Sequence, residues 1–429
     1  MVAVERIVGA YNAWAGNGAS EAPDWLKEVR NGAIARFERL GFPNMKQEAW
    51  RFTSVAPLSE GSFELAKPPT RIPSLAEIRP FLMIEAGYRL VFVDGFFQRS
   101  LSTPFLDDVQ SLAHVVTHRQ DLVRAHLGKY AATDDRPFSA LNTAFVSDGA
   151  FVHVPANAAI AEPIQLLFLA SGKQVVTHPR NLIVIEREAR AAIVETYASL
   201  TQDVYWTNAV TEISAGDGAR VDFHRVQRES PRAYHVAATQ TQQGRDSTVN
   251  FHAVAFGGAL ARHDIGAVLA GPGGTLILNG LYLLAGAQHA DHHTTIDHAA
   301  DHCSSHEYFN GVLDDTSRGV FTGRIIVRPG AQKTDSKQTN NNLLLSGHAH
   351  ADSQPQLEIY ADDVKCTHGS TVGPLDPRAL FYLQSRGVGE HEARRLLTYG
   401  FAAEILGRME VAPLRAQLDA IVRGRLAES

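Results

Sequence analysis

The sequence predicts a mainly β protein, in which a β-solenoid core lies between helical N-terminal and C-terminal segments. The middle of the chain lacks helical periodicity and consists of short apolar runs separated by turn residues. These runs recur at a nearly constant spacing, and apolar residues with helical spacing are confined to the two ends. We therefore expect a mixed helical and strand region at 1–136, a solenoid at 137–373 and a helical region at 374–429.

Composition is that of an ordinary globular protein, with 45% hydrophobic and 20% charged residues in a chain of 429. At about 150 residues per domain, this length corresponds to about three domains. A net charge of −6 makes nucleic acid a poor partner. The two cysteines exclude a disulfide scaffold, and they exclude a cysteine-only site with four ligands within one chain. The longest apolar region, 267–287, is interrupted by glycine, proline and asparagine, so we expect no membrane helix.

The first region begins with helical signals. Pro23 stands where a helix can begin, apolar residues follow at helical spacing, and Gly41 supplies a stop. Asp94-Gly95 between apolar runs predicts a tight hairpin, and 111–127 is expected to be helical. The first residues carry an early acidic residue and no basic stretch before an apolar core. They do not resemble a secretory signal, so we expect a cytoplasmic protein.

The core prediction depends on two series of apolar runs. The first series recurs at a nearly constant interval and begins at Ile164, Ile193, Val221, Val249 and Leu276. The second series lies between these runs and begins at Phe151, Leu182 and Val210. Two strands per repeat of constant length are typical of a solenoid, in which each coil packs on the next. An antiparallel sandwich, with strands every ~8–12 residues, is the alternative.

The last region contains three helical patterns. Asp376-Pro377 is typical of an N-cap followed by proline at the first helical position, and Gly387 ends this short helix. A longer helix is expected at 390–409, and a third apolar stripe runs from Leu414 to Leu426. Such a tail either caps the open end of the solenoid or docks a partner.

Common catalytic motifs are absent from the sequence. It contains no GxxxxGK[ST], GxSxG, HExxH or CxxC pattern. We therefore expect neither a tightly bound nucleotide nor a self-sufficient ATPase, serine hydrolase or zinc protease.

A run of histidines is the first candidate for chemistry. Its members lie close together in the sequence: His289, His292, His293, His298, His302 and His306. With Cys303 and neighbouring aspartates they could ligate zinc or iron. In a strand, however, they would alternate between two faces, which favours an inter-strand polar ladder over a metal site. Cys303 alone is more typical of a small buried apolar residue.

A second candidate is the pair Cys366 and His368. Because they occupy alternate positions, their side chains would emerge on one face of a strand. Lys365 or a protonated His368 would favour the thiolate, which is the form that binds metals. Two donors make half a metal site, so the other half must come from elsewhere. The alternative is a buried cysteine beside an ordinary exposed histidine.

The sequence around this pair is recognisable. The stretch 318–387 resembles the SufB/SufD family of iron–sulfur cluster assembly proteins, and most closely SufD. The resemblance is carried by GAQKTD, QTN and DVKC followed by HG, and more weakly by three earlier segments. KCTHG, EAWRFT and Leu383, where many SufB chains are expected to have cysteine, indicate SufD rather than SufB. The matching segments are 330–335, 338–340, 363–366 and 368–369, then 302–313, 141–155 and 48–53.

The resemblance implies a right-handed parallel β-helix acting as a scaffold without a catalytic residue of its own. It also implies a SufB-like subunit along the β-helix and an ABC-type ATPase, SufC, on the C-terminal helices. A transient iron–sulfur cluster or iron would be shared with a partner chain. His368 is the position implied in iron or cluster handling at the SufB–SufD interface, followed by Cys366, with Cys303 and His302 as further candidates. The expected ATPase-docking residues are Leu380, Phe381, Leu383, Leu396, Leu397 and Phe401.

Two other functions remain open at this point. The chain could be a SufB-type scaffold acting as a homodimer, and the isolated chain is compatible with such a dimer. It could instead be a metal-dependent enzyme that uses the cluster at 289–306.

Overall fold

The protein is described by a computed structural model that covers residues 2–17, 22–84, 87–103 and 108–428. Its centre is a β-solenoid of about eight turns, with helices at both ends of the chain, as the sequence predicts. Core strands pair in parallel with the strand one coil away, so the antiparallel sandwich is wrong.

The strands, in chain order, are β1 (Glu64–Leu65), β2 (Tyr88–Val93), β3 (Phe96–Phe97), β4 (Val109–Ser111), β5 (Ala150–Val154), β6 (Ile164–Ala170), β7 (Val175–Thr177), β8 (Arg180–Ile185), β9 (Arg190–Ser199), β10 (Trp206–Ala215), β11 (Arg220–Arg228), β12 (Tyr234–Gln243), β13 (Thr248–Ala255), β14 (Leu260–Leu269), β15 (Thr275–Leu284), β16 (His289–His298), β17 (Ser304–Leu313), β18 (Arg318–Val327), β19 (Asp335–Leu344), β20 (His350–Ile359) and β21 (Lys365–Gly373). The helices are α1 (Val2–Asn17), α2 (Asp24–Leu40), α3 (Ala56–Glu60), α4 (Leu75–Ile78), α5 (Leu112–His118), α6 (Gln120–His126), α7 (Pro137–Ala144), α8 (Pro377–Ser385), α9 (Glu390–Leu406) and α10 (Ala412–Glu428).

Two sheets form the walls of the solenoid. The first runs in the order β20-β18-β16-β14-β12-β10-β8-β5-β4, with β7 also pairing with β10 and β1 pairing with β7. The second runs in the order β21-β19-β17-β15-β13-β11-β9-β6-β2-β3. One strand of each sheet belongs to each coil, and apolar side chains of both sheets fill the space between them.

The predicted repeat of two strands per coil is confirmed, but the predicted strand register is wrong by two residues at two places. Ile164 lies beside Ile193, and Val221 lies beside Val249, as the spacing predicts. Ile193, however, pairs with Phe223 rather than with Val221. Val210 likewise pairs with Arg180 rather than with Leu182. Both errors skip to the next alternate position, which lies on the same face of the strand, so the apolar pattern cannot reveal them.

The N-terminal helices pack on the outer face of the first sheet. Phe37 of α2 and Phe138 of α7 are buried there with Trp206 of β10. The predicted helix is confirmed as α2, and Gly41 follows it with φ 67°. The predicted hairpin is also confirmed, with positive φ at both Asp94 and Gly95. The single helix predicted at 111–127 is instead the pair α5 and α6.

The segment 48–53 makes the contacts that link this N-terminal region to the solenoid. The Arg262 guanidinium lies over the Trp50 ring at 3.8 Å from its centroid. The Thr53 hydroxyl donates to Asp291 Oδ2 at 2.6 Å, and Arg262 Nη1 donates to the same oxygen at 2.6 Å. A buried ion pair with an added hydroxyl therefore holds the two regions together.

The C-terminal tail lies along the flank of the solenoid. Asp376 caps α8 by accepting from the Arg378 backbone N–H. Helices α9 and α10 bury Leu406, Leu414 and their neighbours against the outer face of the second sheet, which includes Val254. The interpretation of these two helices as a cap over the open end is therefore wrong. Among the described helices, none is both long and apolar enough to span a bilayer.

Candidate functional site

The C-terminal end of the solenoid is open. β20 and β21 are the last strands of the two sheets, and within the described residues no strand pairs with their outer edges. Most residues of β21 are exposed, and β20 has no fully buried residue. Apolar side chains are exposed here as well: Ile359, Tyr360 and Val372. Two unpaired strand edges beside apolar side chains form a surface suited to strand pairing with another chain.

Cys366 and His368 both lie on β21 and project toward the interior side of the solenoid. Cys366 is the register partner of Ser336, and His368 is the partner of Gln338, both of which are buried interior residues. His368 is exposed, whereas Cys366 is half-buried and packs against the core. The one-face arrangement expected from their spacing therefore follows from the strand, and it places an imidazole and a thiol at the open end.

The environment of Cys366 does not favour its thiolate. Burial raises the pKa of the Cys366 thiol, the charge of Asp335 on the neighbouring strand raises it further, and the Ser336 backbone opposes these effects only in part. The expectation that Lys365 would favour the thiolate is not met in this chain. A metal ion bound at the open end would lower this pKa, because a coordinating thiol loses its proton.

Polar side chains occupy the interior of the coil beneath the two candidates. Gln338 Nε2 donates to Glu307 Oε2 at 2.7 Å, and both side chains are almost fully buried. Burial raises the pKa of Glu307 to about 7, with the Gln338 amide and the Thr294 hydroxyl offsetting it in part. Ser336 shares a hydrogen bond of 2.8 Å with Ser305 one coil further in. One polar ladder thus leads to His368 and another leads to Cys366.

The sequence motifs alone do not indicate that these ladders belong to the site. The sequence of β19 does contain a sign of them. Its alternate, inward-facing positions are polar, whereas the interior of a solenoid is usually apolar. In the sequence alone, the QTN segment at 338–340 contributes only to the family resemblance. The polar interior positions of β19 are Ser336, Gln338, Asn340 and Asn342.

His302 and Cys303 lie at the turn that precedes β17, two coils inside the open end. Cys303 is 1% exposed, and its Sγ lies 3.3 Å from the Gly271 carbonyl oxygen. Burial raises the pKa of this thiol, as expected for a small buried residue rather than a ligand. His302 is exposed, adopts φ 57° in the turn and faces Asp301 at 3.1 Å. The structure therefore does not bring these two residues to β21.

The histidine run is divided between β16, β17 and the turn that joins them, and its members on the strands point to two different faces. His292 and His298 point into the solenoid, where His292 stacks on Tyr282 and His298 contacts Ser305. His289 and His293 lie on the outer face of β16, and His306 is exposed on β17. Within the described residues, no group of three or more histidine, cysteine, aspartate or glutamate side chains is arranged to hold a metal ion. This distribution favours the polar-ladder interpretation.

The expected docking residues on the tail differ in accessibility. Phe381 of α8 is 71% exposed and Leu396 of α9 is 42% exposed. Phe401 is partly buried against the second sheet, and its carbonyl accepts from Asn310. Tyr382, which is not among the expected docking residues, is 58% exposed beside Phe381. The remaining three residues are half-buried: Leu380, Leu383 and Leu397.

Comparison with known proteins gives two family matches that together cover most of the chain. The family model described as "SUF system FeS cluster assembly, SufBD core domain" matches residues 168–401. The model described as "SufBD protein N-terminal region" matches residues 6–166.

Individual relatives agree with these family matches. An iron–sulfur cluster assembly SufBD family protein of Synechocystis sp. is 34% identical over 416 residues, which cover 93% of this chain and 91% of the relative. The iron–sulfur cluster assembly protein SufD of Escherichia coli is 31% identical over 397 residues, or 90% of each chain. SufD of Bacillus subtilis is 27% identical over 427 residues, or 95% of each chain.

Proposed function

The chain belongs to the SufBD family of iron–sulfur cluster assembly proteins, and we propose that it is the SufD-type scaffold subunit of a SUF complex. It pairs with a SufB-like subunit and a SufC-like ABC ATPase, and the complex builds and transfers nascent clusters in the cytoplasm. The observation that carries this proposal is the open solenoid end, where two strand edges, an imidazole and a thiol lie together.

The open end supports pairing with a second solenoid. An exposed strand edge presents a row of backbone donors and acceptors, which a partner edge can satisfy. Tyr360 is 61% exposed and Val372 is 48% exposed, so apolar area is available for burial beside the new hydrogen bonds. In the proposed complex, the SufB-like subunit continues the solenoid beyond β20 and β21.

The donor set at this end suits a shared iron or iron–sulfur site. Imidazole and thiolate both bind iron, and clusters are commonly held by four protein ligands. His368 and Cys366 supply two donors, and a partner chain across the interface supplies the others. Iron and sulfide are the cargo of the complex in this proposal, and the cluster leaves it when assembly is complete.

The tail supplies the proposed ATPase surface. Phe381, Tyr382 and Leu396 expose apolar side chains on α8 and α9, and exposed apolar patches commonly mark protein contacts. The sequence has no phosphate-loop motif, so the proposal assigns ATP hydrolysis to the partner and no catalytic step to this chain.

Introducing positive charge at the open end of the solenoid tests the proposed pairing with a SufB-like subunit. The chain carrying Y360K and V372K would be co-expressed with a SufB-like and a SufC-like protein. Native mass spectrometry would then measure the subunit composition of the purified complex. Two lysines in the interface should weaken capture of the SufB-like subunit by about tenfold or more and leave the ATPase bound. The matched control is I72K with L75K, since these side chains are similarly exposed in the N-terminal region.

Unchanged capture of the SufB-like subunit by the lysine variant would contradict the proposed interface. A wild-type chain that forms only a homodimer in the presence of both partners, and holds iron in that form, would show a SufB-type scaffold instead.

A further inference from the structure

We propose that Gln338 is a positioning residue for His368, with its side-chain carbonyl accepting the imidazole N–H while the other ring nitrogen faces iron. This inference rests on the proposed function, because it concerns the same shared site. It assigns a role to a buried amide and to the carboxyl of Glu307 beneath it, which the fold alone does not explain.

The first support is the register of the last two strands of the second sheet. Gln338 of β19 and His368 of β21 are direct partners in a parallel pair. Strands in a sheet lie about 4.8 Å apart, and paired residues project from the same face. Glu307 of β17 is the next member of the same column. Carboxyl, amide and imidazole therefore follow one another from the interior to the open end.

The second support is the orientation of the Gln338 amide. Its nitrogen donates to Glu307 Oε2 at 2.7 Å, which turns the nitrogen toward β17. In a planar amide, the oxygen lies on the other branch from the nitrogen, so it does not face Glu307 Oε2, and β21 is the strand on the other side of β19. Gly323 on the opposite sheet leaves room for this arrangement, because a Cβ there would overlap the amide nitrogen. The hydrogen bond to Glu307 therefore orients the amide, in the space that Gly323 leaves open.

The third support is an unsatisfied acceptor. Gln338 Oε1 is buried and has no hydrogen-bond partner within the described part of the chain. A buried acceptor without a partner is energetically unfavourable, so native structures usually satisfy it. His368 is the adjacent side chain of the column, and it is still exposed in the isolated chain. Covering the open end would exclude water and leave the imidazole N–H as the donor beside this oxygen.

The chemistry of metal-bound histidine explains why such a contact matters. A ligating imidazole binds the metal through one nitrogen and commonly donates its other N–H to a carbonyl or carboxylate. This second contact fixes the tautomer and the ring orientation, and it increases the basicity of the ligating nitrogen. Loss of such a contact typically lowers metal affinity by about tenfold to a hundredfold.

The test replaces the buried pair as a unit. E307L/Q338L removes both polar partners, so no buried polar atom of the pair is left unsatisfied and the fold should persist. E307Q/Q338E exchanges the amide and the carboxyl, which keeps a hydrogen bond between them and restores an acceptor beside His368. T339V is the control, because it changes the same strand on the outer face.

The measurement is the iron content of the anaerobically purified complex, with its subunit composition determined in parallel. We expect at least a tenfold loss of bound iron in E307L/Q338L, recovery of most of it in E307Q/Q338E, and wild-type iron in T339V. Iron loss that the exchanged pair does not rescue would identify a structural role and overturn the inference.

A complex of E307L/Q338L with wild-type iron would also overturn it. The variant H368A separates this failure from that of the proposed function. If H368A loses iron while E307L/Q338L does not, only the role of Gln338 fails. If H368A retains iron as well, the proposed site at His368 fails with it.

Discussion

Two histidines of β16 are held neutral inside the solenoid. The His292 ring stacks on Tyr282 with centroids 5.0 Å apart, and His298 Nε2 lies 2.8 Å from the Ser305 hydroxyl oxygen. Burial lowers the pKa of His292 to about 4 and the pKa of His298 to about 4. In the unfolded chain both would titrate near a pKa of about 6.5. Between these values the unfolded state binds more protons than the folded state.

This difference makes the fold sensitive to mild acid. The contribution of these two histidines to stability is fully present above their pKa in the unfolded chain. It is lost as the pH falls from about 6.5 toward 4. From pH 7 to pH 5, each of these histidines should lower the free energy of unfolding by about 1–2 kcal/mol. Urea denaturation at both pH values would measure the free energy of unfolding and its loss in acid. In H292F this loss should be smaller than in the wild type by the contribution of one histidine.

The exposed His348 provides the control, since H348F should leave the acid sensitivity unchanged. An H292F protein that loses as much stability between pH 7 and pH 5 as the wild type would refute the assignment.

At the level of single residues, spacing predicted that Cys366 and His368 share a face, and it could not predict the environment of either. Asp335, which raises the pKa of Cys366, is distant in sequence and adjacent only through strand pairing. Gln338 is likewise a full coil away from His368 along the chain and becomes its neighbour only in the sheet. Contacts between coils depend on exact register, which the apolar pattern cannot define more finely than the two-position repeat of a strand.

Helix α8 contributes exposed apolar side chains without contributing to the core. None of its residues is buried, whereas α9 and α10 cover an apolar face of the second sheet. Deleting the whole tail would expose that apolar face. A loss of ATPase binding could then result from misfolding as well as from loss of the docking surface. Point substitutions on α8 avoid this difficulty.

Truncation of Phe381 and Tyr382 tests the ATPase surface. F381A/Y382A should lower capture of the SufC-like ATPase by about tenfold, because apolar interface anchors typically contribute about 1 kcal/mol or more each. The thermal midpoint should stay within about 1 °C of the wild type, since both side chains are exposed. Pull-down from co-expressing cells measures the capture, and I72A is the matched control. Full capture by F381A/Y382A would place the ATPase elsewhere.

The elements themselves were largely predictable, and their placement was not. Helical spacing and the Gly41 stop predicted α2, and Asp376 predicted the start of α8. The side of the solenoid that the tail covers depends on the outer face of β13 and β15, where Val254 and Leu281 are apolar. The sequence shows that those positions are apolar in strands, but it does not show which segment covers them.

Across the whole molecule, the solenoid interior contains both apolar and polar side chains, and one column of them changes character along the axis. One interior column runs through Phe223, Phe251 and Leu278, then through Glu307 and Gln338 to His368. The apolar part stabilises the fold, while the polar part reaches the surface only at the open end. A polar interior that ends at unpaired strand edges is suited to a site that a second chain completes.

Iron bound by the assembled complex tests this account most directly. The chain carrying H368A would be co-purified anaerobically with its SufB-like and SufC-like partners, and iron and acid-labile sulfide would be measured per complex. The control is H306A, another exposed histidine, on the outer face of β17. We predict an unchanged subunit composition with at least a tenfold loss of iron in H368A, and wild-type iron in H306A. Wild-type iron and sulfide in the H368A complex would contradict a shared site at the open end of the solenoid.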